Sequence, residues 1–384
     1  DRMVRSDRTL YGASAGWQSR DLAVDGGPRR SIAAYAASTD RLSQRDVFRG
    51  TGGSAYFLSR RDIESGTETL LVEVRNPFSN TILSSRRLVQ GQDYRIDYVQ
   101  GVVILNEPLQ PSAPGPGLVR DNALGDHVVN LVAQYDYVPS GGAGSGDSHG
   151  ARVEAWATPA LRLGSTLAQE GAGDADNRLA GVDLLLTRGG ESWLLAEFAQ
   201  SEGPGLGQTL SLTGGLDLDP RVPGAGARGL RAQGMAVKGR LDLADLGGEG
   251  HVEAFADRRD RGFSAPDWDV AVGQRSEGLD GRVVLDGATA LTFGAERFRD
   301  DDGRRDNRAR LGIDRMLGKA WQLEAEIARS DRTHPGSLVA GENGASSDAA
   351  LRLTWHRGDA LSIWAFGQAN LARSGDLARD NRLG

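Results

Sequence analysis

The sequence predicts an all-β chain: an N-terminal β-sandwich-like module followed by an antiparallel transmembrane β-barrel that is incomplete at its C-terminal end. Three observations carry this. First, residues 306–328, DNRARLGIDRMLGKAWQLEAEIA, read as two amphipathic strands joined by a tight turn. Ala309, Leu311 and Ile313 alternate with Arg308, Arg310 and Asp314, and Trp321, Leu323, Ala325 and Ile327 alternate with Gln322, Glu324 and Glu326. A period of two is a strand and not a helix. Second, connections after residue 150 alternate between tight turns and long polar loops, as in outer-membrane barrels. Third, the 384 residues include 53 glycines and no cysteine, which suits strands and turns in an oxidising envelope.

The N-terminal residues 1–47 read as a short β segment ending a preceding domain, with a turn at Gly26-Gly27-Pro28. The charged start, Asp1-Arg2-Met3-Val4-Arg5, has no apolar run after it and is not a secretory signal. Residues 48–139 are denser in strand signals and read as the sandwich-like module, with TLLVEVR (69–75), DYRIDYVQGVVIL (93–105) and HVVNLVAQYDYV (127–138) as strands. Pro111 to Gly117 is a loop within it. Residues 140–150, rich in Gly and Ser, read as a linker.

Residues 151–384 are the predicted barrel. Strands of about 8–11 residues, enough to cross a bilayer at a tilt, fall near 151–158, 160–169, 178–188, 191–201, 207–216, 229–240, 249–257, 270–286, 288–299, 307–316 and 320–329, with two more in 348–371. The phrase Asp-Asn-Arg at 176–178, 306–308 and 380–382 closes a long acidic loop and opens a strand each time. The third copy stops at Gly384, so a strand is expected to be cut off there. Trp193, Trp321, Trp355 and Trp364 adjoin short turns, where a membrane-interface girdle would lie.

At 48–109 the phrases Gly50-Thr51-Gly52-Gly53-Ser54-Ala55-Tyr56-Phe57-Leu58, Asp62-Ile63, Val72-Glu73-Val74-Arg75 and Asp93-Tyr94-Arg95-Ile96-Asp97-Tyr98-Val99-Gln100-Gly101 resemble a β module of large cell-surface and outer-membrane proteins of Gram-negative bacteria. The resemblance covers about a sixth of the chain. It implies a β fold and an envelope location, and it brings no catalytic residues. The C-terminal part looks like outer-membrane barrels in pattern only.

Candidate chemistry is sparse. Gly12-Ala13-Ser14-Ala15-Gly16 matches the nucleophile-elbow form, but no helical periodicity follows it. The histidines, His127, His149, His251, His334 and His356, have no metal-ligand spacing. Asp300, Asp301, Asp302 and Asp306, and Asp174 with Asp176, are oxygen clusters of the kind calcium takes, but a solvated loop is the simpler reading. With a net charge of −7 and no basic patch, the chain is not a nucleic-acid binder. No enzyme activity and no cofactor are expected. Arg308, Arg310, Asp314, Gln322, Glu324 and Glu326 are the candidate lumen-lining residues. The expected function is structural or transport-related in the bacterial outer membrane. The expected partners are outer-membrane lipid or lipopolysaccharide, and other envelope proteins through residues 48–139. The alternative is a surface adhesin built of soluble β-sheets.

Overall fold

An amphipathic strand has hydrogen-bonding groups along both edges, so each such segment of this chain needs a ladder neighbour on either side. The computed structural model describes residues 12–39, 41–77, 82–115, 117–120, 127–138, 146–171, 177–188, 191–203, 207–221, 231–265, 268–270, 272–337, 343–358, 361–377 and 381–384. The first strands are β1 (Gly12–Gln18), β2 (Arg30–Thr39), β3 (Leu42–Arg49), β4 (Ala55–Phe57), β5 (Thr69–Arg75), β6 (Ile82–Arg87), β7 (Tyr94–Asp97), β8 (Val102–Leu105), β9 (Ser112–Ala113) and β10 (His127–Tyr137). Then come β11 (Gly146–Trp156), β12 (Leu161–Glu170), β13 (Asn177–Arg188), β14 (Ser192–Glu202), β15 (Gly207–Ser211), β16 (Asp219–Arg221), β17 (Arg231–Asp242) and β18 (Gly250–Arg259). The last are β19 (Ser264–Ala265), β20 (Trp268–Asp269), β21 (Gln274–Asp286), β22 (Thr289–Asp300), β23 (Arg305–Leu317), β24 (Trp321–Thr333), β25 (Gly344–Arg357), β26 (Leu361–Gly375) and β27 (Arg382–Leu383).

Fifteen of these form one antiparallel sheet in the order β1-β2-β11-β12-β13-β14-β17-β18-β21-β22-β23-β24-β25-β26-β27. Among the described residues no ladder joins β1 to β27. One rim carries the connections 19–29, 157–160, 189–191, 287–288, 318–320 and 358–360; the other carries 171–176, 203–230, 260–273, 334–343 and 376–381. Three connections depart from this asymmetry, among them 19–29, eleven residues long on the rim of the short turns. The loop 301–304 is short, and 243–249 on the short rim holds a 3₁₀ turn that Gly247 closes with φ +80°.

Strands β3 to β10 build a second body between β2 and β11, which β15 and β16 of the loop 203–230 join; among the described residues β19 and β20 pair only with each other. The larger sheet of the second body runs β16-β15-β3-β10-β5-β6 with β9 on β10, and its smaller sheet runs β4-β8-β7. The two share a core of Phe48, Tyr56, Leu58, Leu70, Tyr94, Val103, Leu131 and Tyr135. Burying side chains of this size supplies roughly 1.5–3 kcal/mol each before chain entropy is subtracted.

Four expectations need correction. Residues 1–47 do not end a preceding domain, because β1 and β2 belong to the large sheet and β2 pairs with β11 from Gly146↔Thr39 to Ala155↔Arg30. The module accordingly begins at β3, before residue 48. The Gly/Ser linker is partly strand: 146–150 lie in β11, since a ladder neighbour outweighs weak strand propensity. Residues 141–145 lie outside the described residues. The segment 207–216 is no barrel strand, because β15 adds in parallel to β3 of the module, from Gly207↔Gln44 to Ser211↔Phe48.

Candidate functional site

Residues directly opposite in a ladder share a face, so the register sorts the large sheet into two surfaces. One surface is apolar and open. Leu311 pairs with Ile327, and they are 62% and 59% exposed. Leu163, Leu167, Val182, Phe198, Val237, Leu279 and Leu351 are exposed as well.

The opposite surface is polar and covered. Asp314 faces Glu324, Gly312 faces Glu326, and Arg308 and Arg310 lie on the same side of β23. Asp306 is 4% and Glu326 6% exposed. Arginines run between the carboxylates. Arg352 Nε and Nη2 each donate to Glu324 at 2.5 Å, and Arg282 Nη2 donates to Asp314 Oδ2 at 3.0 Å. Gln322 Nε2 donates to the other Asp314 oxygen at 2.7 Å. Arg310 bonds Asp280 and lies 3.8 Å from Glu326. Asp306 has Arg308 at 3.5 Å and Arg332 at 3.8 Å. Farther along the sheet, Arg152 donates to Glu154 and Asp183 at 2.7 Å each. Asp183 lies over Gly164 opposite it, where a Cβ would come within 2.4 Å of the carboxylate. Removing one partner of a buried pair strands the other, at roughly 3–5 kcal/mol.

The module covers this polar surface with two described segments. Asn76 follows the buried Glu73 and Arg75, whose Nε donates to Glu73 at 2.7 Å. Asn76 Nδ2 donates to both carboxylate oxygens of Glu296 at 2.8 Å. The second segment is 117–120. Val119 N donates to Glu326 Oε1 at 3.0 Å, Arg120 N donates to Gln368 Oε1 at 3.0 Å, and Gln368 Nε2 donates to the Arg120 carbonyl at 2.9 Å. A Cβ at Gly117 would lie 2.8 Å from Glu326 Oε1, so a larger residue there would have to shift the carboxylate that Val119 N bonds. Glu326 is seven residues from Thr333, where β24 ends, so the module reaches roughly 23 Å along the strand from the long-loop rim. At that rim Ile82 packs with Leu179, Ala199, Ala232 and Ala236 of the sheet and with Phe263, Ala265 and Val270 of the loop 260–273.

The aromatic expectation divides. Trp321 pairs with Trp355 on the apolar surface beside the short turns. Trp193 and Trp364 do not join them. Trp193 pairs with Thr187 and Arg240, and Trp364 with Thr354, on the polar surface. Closeness to a turn sets height along the strand, whereas residue parity sets the face. Trp17, opposite Ile32 on the apolar surface and 55% exposed, is a further tryptophan beside that rim. Glu296, Gln368, Asn76 and 117–120 carried no local signal in the sequence, since their partners are more than 200 residues away.

Ser14 sits mid-strand opposite Tyr35, and a second strand follows; a nucleophile elbow needs a strand, a strained turn and a helix. Among the described residues no group of three or more His, Asp or Glu is placed to hold a metal ion. Asp174 and Asp176 lie outside the described residues.

No protein family and no curated relative matches this chain. Among solved structures, two mutants of the ferric enterobactin receptor (PfeA) from Pseudomonas aeruginosa align with it. The single mutant is 11% identical at TM-score 0.32, and the double mutant is 14% identical at TM-score 0.29. Each alignment covers 94% of this chain and 52% of the receptor, so the chain spans about half the receptor's length. Likeness at that level carries no argument about this chain.

Proposed function

We propose that this chain is a structural or transport-related β protein of the bacterial outer membrane, without catalytic chemistry, whose large sheet forms a barrel wall. The observation that carries this reading is the inverted polarity of the sheet. Apolar side chains face outward along the main strands, while Asp183, Glu197, Asp257, Asp306 and Glu326 are buried on the other face. In water such a surface would be a contiguous apolar patch far larger than soluble proteins leave open. Against lipid or lipopolysaccharide chains it needs no further cover, and the polar face becomes the lumen. The main strands from β11 to β26, at 10–15 residues each, meet the length that a tilted crossing needs. The soluble adhesin would turn its charges to water and its apolar face inward, opposite to the arrangement here.

In this reading Arg308, Arg310, Asp314, Gln322, Glu324 and Glu326 line the lumen, and the module fills part of it. Trp321 and Trp355 lie at the membrane boundary. The first test is fractionation of cells expressing the protein, followed by gels of the outer membrane with and without boiling. A species that migrates faster unheated is the expected result; a heat-insensitive protein in the soluble fraction would refute the barrel. A second test uses Leu311→Arg, at the middle of β23. On the lipid face it is expected to cost about 2–4 kcal/mol, read as a lower midpoint in urea unfolding from vesicles. An unchanged midpoint would mean that this face meets water.

A further inference from the structure

We propose that the module, residues 42–137, lies on the cell-surface side and closes the lumen from outside. This rests on the barrel reading above. The strand path carries it. β2 leaves the sheet at Thr39 and β11 re-enters opposite it at Gly146. β11 then ends at the tight turn 157–160, so the module hangs from the opposite rim, the one with the loops 171–176, 203–230, 260–273 and 334–343. In bacterial outer-membrane barrels the short turns are periplasmic and the long loops extracellular. The rim that holds the module is therefore the outer one.

A second, independent observation shows that the module is part of that rim and not a pendant from it. The loop 203–230 supplies β15 and β16 to the module's own sheet, and Thr209 Oγ1 donates to the buried Asp46 at 2.6 Å. Phe57 N donates to the Gly214 carbonyl at 2.9 Å. The loop 260–273 packs Phe263 and Val270 into the same cluster as Ile82. Long loops and module thus form one cover, and its tip, Asn76 and Val119, hydrogen-bonds the lumen carboxylates Glu296 and Glu326. A solute or partner that displaces the cover approaches from outside the cell, and envelope proteins confined to the periplasm meet only the opposite rim.

The chain has no cysteine, so a single introduced thiol reports its own side of the membrane. Ser85 on β6 and Lys319 in the turn 318–320 are both exposed. Cells producing the full chain with Ser85→Cys or Lys319→Cys would be treated with a membrane-impermeant maleimide, before and after permeabilising the outer membrane. Ser85→Cys is expected to label on intact cells, and Lys319→Cys only after permeabilisation. The reverse pattern, or equal labelling on intact cells with the protein in the outer-membrane fraction, would overturn the external cover while leaving the barrel standing. Recovery of both variants in the soluble fraction would overturn the barrel itself, and the cover with it.

Discussion

Replacing Asp46 with alanine is expected to destabilise the module by on the order of 4 kcal/mol, because several buried donors lose their shared acceptor at once. Asp46 is fully buried. Its two oxygens accept five hydrogen bonds: from Gln44 Nε2 at 2.9 Å, Ser59 N at 2.8 Å, Ser59 Oγ at 2.7 Å, Tyr135 Oη at 2.6 Å and Thr209 Oγ1 at 2.6 Å. The last belongs to the loop 203–230 between strands of the large sheet, so the variant also loosens the seam between β15 and β3. Pulse proteolysis of the detergent-solubilised full chain across a urea series would measure the loss, and a shift under about 1 kcal/mol would refute the role given to Asp46 here.

The same cluster sets an alkaline limit. Burial, and then the Asp46 charge, push the Tyr135 hydroxyl well above its ordinary range, and burial followed by Glu68 does the same to Tyr94. A raised folded value means that the neutral form is favoured in the native state. The stability this represents is fully present below the unfolded value near 10 and is lost as pH rises above it, by about 1.4 kcal/mol per pH unit for each tyrosine. Tyr135→Phe should flatten that alkaline slope by one tyrosine's share.

On the proposed barrel reading, combining Glu296→Ala, Glu326→Ala and Gln368→Ala is expected to open the lumen. The triple variant removes every described hydrogen bond from the module tip to these three side chains. Bonds to a carboxylate contribute roughly 1.5–3 kcal/mol and neutral ones about 1 kcal/mol, so the closed arrangement loses about 5 kcal/mol. A change of that size moves a two-state population by roughly three to four decades. Planar-bilayer recordings should then show a closed wild type and a variant that conducts measurably more often. Glu324→Gln, whose partner Arg352 is away from the tip, serves as a control that should stay closed. Equal conductance of wild type and triple variant would mean that the module does not obstruct the path.

The two surfaces of β23 and β24 were legible in the sequence because alternation of full apolar side chains with Arg and Glu leaves one possible sorting. β1 and β2 are not assigned to the sheet by the sequence, since Gly12-Ala13-Ser14-Ala15-Gly16 and Ala33-Ala34 have too little contrast between faces to announce a strand of the large sheet. The 207–216 segment reads as one strand of the barrel, but only Gly207–Ser211 is a strand and it belongs to the other sheet. Its partner β3 is more than 150 residues earlier, and strand propensity says nothing about who pairs with whom. Trp193 shows the sharpest limit: a shift of one residue, from Leu194 on the apolar face, reverses the surroundings. The contacts of Asn76 and 117–120 join loops to strands far away in the chain, and no periodic pattern encodes such meetings.

The module is also an interruption of a single hairpin. Thr39 and Gly146 are ladder partners, so its two ends meet at neighbouring positions of one strand pair. If residues 40–145 were a random coil, joining those ends would cost about 4 kcal/mol of chain entropy. A folded module with adjacent ends has met that cost already. The β2–β11 seam should therefore zip late, after the inserted body has formed, which makes the completion of the wall a kinetic checkpoint on the folding of the part that fills it.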